Sequence, residues 1–257
     1  MKELTFQDIK SDIKHIISKC GVELYVIQFI IILFNVYSTY KQYSIYPKKD
    51  TVPALSDALF TIIEMLVTAI LTIIIVTIIN KVYEAEDYNK KEVIVNSIKK
   101  LPRFILGYLI IGGLMLGALI AYSFIQIILR SPFFALILGI ALIAVYIYIL
   151  IRFCLAKYIL VIEKDSGLVS RSKEFYMMDK GIMIKYFIVA MLTGIIPITL
   201  FISLPGWLGM ELSKTAFLVT RLIINVINFI LTPLISIAGL SIYKYFIGRN
   251  IKRGDTV

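Results

Sequence analysis

Apolar residues in this chain come in long unbroken runs separated by short charged stretches. Six runs are long enough to cross a hydrocarbon core of about 30 Å, which takes about 20 apolar residues per helix. They are Val22–Tyr40, Ala54–Ile79, Phe104–Leu129, Phe133–Ile151, Ile182–Leu204 and Ala216–Ile247. The fourth is the shortest. The sixth is overlong, so it must tilt, kink or emerge from the bilayer. The pattern predicts an all-α fold: a polytopic membrane protein of about six transmembrane helices.

The segments leading into odd-numbered spans have a different rhythm. Phe6, Ile9, Ile13, Ile16 and Ile17 recur at helical spacing, with Lys10, Asp12 and Lys14 between them. Val93, Val95 and Ile98 lead into Leu101-Pro102-Arg103, and Leu168, Val169, Phe175 and Met178 alternate with Arg171, Lys173 and Lys180. Such segments read as amphipathic helices lying at the membrane surface. The alternative is a polar extension of each span. Arg130-Ser131-Pro132 leaves room only for a tight turn, so spans three and four form a hairpin. The expected architecture is a single integral membrane domain, residues 1–257. It is built as three hairpins on cytoplasmic surface helices, in repeats at 5–80, 92–151 and 167–247.

Composition removes the soluble alternative. Hydrophobic residues make up 59% of the 257 residues and mean hydropathy is +0.88, more apolar surface than a water-soluble fold can cover. The first twenty residues are polar and lack a cleavage pattern, so the first span is expected to stay as an anchor. Cys20 and Cys154 stand alone at span ends, which is no disulfide framework.

The net charge of +10 raises nucleic acid as a partner. Its distribution points elsewhere. Lys and Arg number 21 on one set of alternating loops and 6 on the other. This is the positive-inside asymmetry, and it predicts both termini in the cytoplasm. Anionic lipid headgroups are the expected partners of this charge, at about 1 kcal/mol per residue near the surface. A membrane-protein partner or a second copy of the chain is the other expected contact.

Two spans carry polar stripes. Span two has Asp57, Thr61, Glu64, Thr68 and Thr72; span six has Arg221, Asn225, Asn228, Thr232 and Ser236. The spacings are 4, 3, 4, 4 in both, with a constant offset of 164. At about 100° per residue each set occupies one stripe. Glu64 lies roughly 15 Å from the outer end by helical rise, and an ionisable group at that depth must face the bundle or a wet cavity. Spans two and six are therefore expected to face each other, with Arg221 paired to Asp57 or Glu64. Asp57, Thr61, Glu64, Arg221, Asn225 and Asn228 form a candidate intramembrane polar site. The stripes serve either as helix glue or as a proton or solute cavity. Pro197 and Pro233 fall inside spans and predict kinks, which serve static bundles and hinges alike.

Catalytic patterns are missing from the sequence. His15 has no metal-ligand spacing around it, and no HExxH, GxSxG, Walker A or GxGxxG pattern occurs. Neither enzyme activity nor a cofactor is expected. Glu84, Glu86 and Asp87 read as a solvated loop.

The most distinctive stretch is Arg152–Gly181, RFCLAKYILVIEKDSGLVSRSKEFYMMDKG. Its run Arg152-Phe153-Cys154-Leu155-Ala156-Lys157-Tyr158, then Val161-Ile162-Glu163, Gly167 and Ser170 to Glu174, resembles a bacterial and archaeal membrane family. That family comprises the membrane domain attached to some glycerophosphodiester phosphodiesterases and related stand-alone six-helix proteins. Its pattern has F-x-L-A-P-Y at the inner end of span four, then an acidic residue, then A-L-x-x-S-W/K. Ser172 matches the serine, Lys157 replaces the proline, and the aromatic after the serine is absent. Asn96–Phe104, NSIKKLPRF, fits the family's lead into span three. The resemblance implies a six-helix fold in a bacterial cytoplasmic membrane. It does not imply phosphodiesterase activity, which belongs to a separate soluble barrel. On the residues themselves, Arg152, Lys157, Arg171 and Lys173 are candidate headgroup contacts, and the Ser-Arg-Ser-Lys run either binds a lipid phosphate or caps a helix.

These readings converge on a non-enzymatic scaffold or accessory subunit of an envelope or export process. The alternative is a permease for small solutes or amphiphiles, working through spans two and six.

Overall fold

The helices begin and end where the sequence supplies the chemistry to start and stop them. Thr5 and Asp8 form a reciprocal capping pair: Thr5 Oγ1 accepts the Asp8 N–H at 3.2 Å and Asp8 Oδ2 accepts the Thr5 N–H at 3.0 Å. This opens α1, Phe6–Ile45. Helix α2, Leu55–Tyr83, closes in a Schellman turn. There the Glu86 N–H donates to Lys81 O at 2.9 Å and the Ala85 N–H to Val82 O at 3.2 Å. Ala85 sits in the left-handed region with φ 55°. Asn89 Oδ1 accepts the Lys91 N–H at 2.9 Å and opens α3, Lys90–Leu129.

Next come α4, Pro132–Arg152, the short α5, Ala156–Ile162, and α6, Leu168–Met178. Asp179 then accepts the Ile182 N–H at 3.0 Å and starts α7, Lys180–Thr193. The last helix, α8, is Lys214–Arg253. The computed structural model describes residues 4–45, 55–129, 132–163, 167–193 and 214–253.

All regular structure among the described residues is helical. Five helical stretches are long and apolar enough to cross a bilayer: Phe6–Tyr37, Leu59–Tyr83, Lys90–Ile128, Phe133–Ile162 and Leu222–Arg249. This is a multi-pass helical membrane protein, since only closed hydrogen-bonding structures such as helices cross lipid. The fifth expected span, Ile182–Leu204, runs past the described residues, and Pro197 lies outside them.

Two of the expected surface segments belong to the same helices as their spans. In α1 the junction is marked by one non-helical residue, Cys20, at φ −133° and ψ 15°. In α3 the helix runs through Pro102 without interruption. The third segment is a separate helix, α6.

The chain groups into two compact units, Met1–Lys99 with Ile188–Tyr245, and Lys100–Phe187 with Phe246–Val257. In the first unit α2 packs along α1, with Tyr37 and Phe60 rings 5.1 Å apart. Ile16, Leu24, Ile73, Val76, Ile79, Ile237 and Leu240 are buried there. The α8 ring of Phe229 meets Tyr25 of α1 at 5.3 Å.

In the second unit α3 and α4 run antiparallel. Tyr146 donates to Met115 O at 3.1 Å, and a Cβ on Gly139 would lie 3.9 Å from Tyr122 Oη. Both pairs sum to the same residue number, as neighbours in a hairpin must. Residues 130 and 131 of the expected turn lie outside the described ones. Gly107 of α3 permits close approach to α5, because a Cβ there would sit 2.5 Å from Leu160 Cδ1. Leu109, Leu116, Ile120 and Phe124 of α3 and Leu136, Ile140 and Ile143 of α4 are exposed. Such surface is at home in lipid, not in water.

Candidate functional site

The polar stripes fall on α2 and α8 of the first unit. Glu64 is half-buried and Thr61 exposed; Asn225 and Asn228 are half-buried. Thr72 spends its hydroxyl on its own helix, donating to Thr68 O at 2.8 Å. Ser236 is buried beside the buried Pro233. The side chains of Asp57 and Arg221 lie outside the described residues, and so does the expected pairing of Arg221 with Asp57 or Glu64. Helix α1 touches both stripe-bearing helices, through Tyr37 on α2 and Tyr25 on α8. The polar ends of α2 and α8 are tied by an ion pair between Lys244 and Glu84.

Other polar residues of this unit gave little sign in the sequence. Glu23 of α1 takes an ion pair from Lys90 at 2.6 Å and a hydrogen bond from the Tyr88 hydroxyl. Burial, then the bond to Glu23 and its charge, push the Tyr88 phenol well above the usual tyrosine range. Gln28 is 4% exposed within the apolar run of α1, and its side-chain oxygen has no hydrogen-bond partner among the described residues. The same holds for the hydroxyl of buried Thr77 on α2. A polar residue inside an apolar run is the signal for both. Partners 65 residues away, as for Glu23 and Tyr88, leave none.

The first unit also holds an open groove of about 550 Å³, lined by Ile17, Gly21, Val22, Tyr25, Val26 and Phe29 of α1 and Phe229 of α8. The lining contains none of the stripe residues.

In the second unit the distinctive stretch builds a cluster of charge. Arg171 of α6 has 9% of its side chain exposed and lies between two carboxylates. Its Nε meets Glu163 Oε1 at 3.1 Å and its Nη1 meets Glu174 Oε2 at 2.7 Å. Burial pulls the guanidinium down, but the bonds to Glu174 and Glu163 outweigh that and hold it above the usual arginine value. Its cationic face lies 5.1 Å from the Phe175 ring, which stacks on Phe246 at 5.3 Å. Arg103 of α3 donates to the backbone carbonyl of Glu163. The ion pair thus ties the end of α5 to α6, and Arg103 ties α3 to the same residue through its backbone.

The remaining headgroup candidates differ in setting. Arg152 donates to Val169 O at 2.8 Å, and Lys157 lies over the Tyr158 ring at 5.1 Å. Lys173 is exposed. Arg171, expected to face headgroups, has its charge engaged by protein carboxylates. Neither serine of the Ser-Arg-Ser-Lys run caps α6. Ser170 donates back to Gly167 O at 2.9 Å and Ser172 to Val169 O at 3.1 Å.

Among the described residues no group of three or more His, Cys, Asp or Glu side chains is placed to hold a metal. Cys20 and Cys154 are free thiols.

Fold and site together define a multi-pass helical membrane protein. No protein-family model, no curated protein and no solved structure matches the chain.

Proposed function

We propose that the protein is a non-enzymatic scaffold or accessory subunit of an envelope or export process in a bacterial cytoplasmic membrane. In this reading six spans form three hairpins, amphipathic segments lead into the odd spans on the cytoplasmic side, and both termini are cytoplasmic. The charge asymmetry of 21 to 6 supports that orientation.

The observation that carries the reading is where charge is spent. Arg171 with Glu163, Lys90 with Glu23, and Lys244 with Glu84 tie separate helical segments to one another. The groove lining is apolar and excludes Glu64. Ion pairs used this way set helix positions and leave an apolar exterior for lipid or protein neighbours.

A second reading, a permease, is favoured by one feature: Gln28 and Thr77 are buried polar groups whose oxygens lack hydrogen-bond partners among the described residues, and water or solute in a cavity would satisfy them. Proteoliposome flux with a panel of ions and small solutes separates the two. The scaffold reading expects no flux above empty vesicles, and no effect of Glu64→Gln. Saturable flux that Glu64→Gln removes would establish the permease instead.

A further inference from the structure

We propose that the groove between α1 and α8 seats one acyl chain of an anionic phospholipid, with the headgroup held by Lys10 and Lys14. The inference rests on the membrane setting of the chain and not on the choice between scaffold and permease.

The dimensions fit a single chain. The α1 lining runs from Ile17 to Phe29 across the break at Cys20, and its unbroken part, Gly21 to Phe29, is eight residues and therefore about 12 Å by helical rise. One leaflet supplies about half of the ~30 Å hydrocarbon core, or about 15 Å. The groove is apolar along that length. Its wall is braced by aromatic contacts, with Phe229 5.3 Å from Tyr25 and 6.4 Å from Phe29. Gly21 helps keep it open, since a larger residue there would add bulk to the lining. Val22 and Val26 present their side chains outward, at 80% and 53% exposure.

Charge decides which lipid. Lys10, Lys14 and Ile17 are spaced by four and three residues, so they share one face of α1. Ile17 is the groove's first lining residue, which places both lysines in line with its polar end. Both are exposed. By the same periodicity Asp8 and Asp12 fall on the other side of the helix, and Asp8 is bonded to Thr5. Glu23 is engaged by Lys90 and Tyr88. The end of the groove is therefore a cationic landing site facing the headgroup layer. A neutral lipid or a partner's apolar helix would fill the apolar part but would leave the lysines without a counter-charge.

The test uses the full chain in phosphatidylcholine vesicles containing a small fraction of phosphatidylglycerol with a photoactivatable acyl chain. After irradiation, labelled peptides are mapped by mass spectrometry. Label is expected to concentrate on the peptides holding residues 17–29 and Phe229. Unlabelled phosphatidylglycerol should compete for it and added phosphatidylcholine should not. Lys10→Gln and Lys14→Gln should each lower it about fivefold. Val26→Trp, at an exposed position, should fill the groove and reduce labelling there. Label on the exposed residues of α3, Leu109 to Phe124, should stay constant across these variants. Equal labelling of α3 and the groove, equal competition by both lipids, indifference to the lysine variants, or cross-links from the groove to another protein chain would each overturn the proposal. None of these results depends on flux, so the site can fail while the scaffold reading stands.

Discussion

Arg171→Met is the substitution whose cost is best worked from the geometry. The side chain is 9% exposed, and its partner Glu163 is 6% exposed at 3.1 Å. Removing one partner of a buried pair costs about 3–5 kcal/mol, because the other charge stays behind in a poorly solvated place. The arm to Glu174 adds little, since that carboxylate is 34% exposed and such pairs contribute about 0–1 kcal/mol. Loss of the cation over Phe175 is worth about 1 kcal/mol. The expected destabilisation is therefore about 5 kcal/mol. Neutralising the orphan should recover part of it, so Arg171→Met with Glu163→Gln should cost less than the sum of the two single changes, by about 2 kcal/mol. Reversible unfolding in mixed micelles of rising dodecyl sulfate content, followed by far-ultraviolet circular dichroism, measures all four species. A loss below about 1 kcal/mol for Arg171→Met, or additive losses in the double variant, would refute the buried pair as the tie between α5 and α6.

Two further outcomes follow from local geometry. Ala85 closes α2 at φ 55°, where a Cβ is penalised by about 1 kcal/mol, so Ala85→Gly should raise stability by about that amount in the same unfolding assay; a neutral or negative change would count against the turn. Tyr88 has a raised pKa in the fold, so the folded state holds its proton more tightly than the unfolded chain. Its contribution is complete below the ordinary tyrosine value of 10.0 and is lost as pH rises beyond it. Stability measured from pH 8 to 11 should fall at the alkaline end (about 1.4 kcal/mol per unit for one proton at most), and Tyr88→Phe should flatten that fall; an unchanged slope would sink the assignment.

The residues that could be read in advance were those whose meaning is local. An apolar run of span length declares a membrane helix without reference to any other segment, because lipid is the only solvent that accepts it. Asp179 and Asn89 start helices through bonds two or three residues away, which belong to the same local class. Arg171 marks where local reading stopped. Its position beside Ser170 and Lys173 suggested headgroups, yet it is buried against Glu163, eight residues away across a helix end. The spacing could not show this, because the break between α5 and α6 sets the direction in which each helix points. The unbroken passage of α3 through Pro102 is a second case. Pro removes one hydrogen bond and crowds the carbonyl four residues back, at a cost of about 3 kcal/mol confined to one turn, and the surrounding helix of 40 residues continues through it.

By itself, then, the sequence determined the solvent, the helical class and the asymmetric placing of positive charge. The first two are properties of span-length windows and the third is a sum over loops, so none needs a contact between distant residues. Tertiary structure alone decided which polar groups meet. Glu23 with Tyr88, Arg103 with Glu163 and Lys244 with Glu84 are separated by 65, 60 and 160 residues. The physical reason lies in range. Transfer into lipid is summed residue by residue along a segment, whereas an ion pair needs two side chains within about 4 Å, and that distance is set by how helices pack.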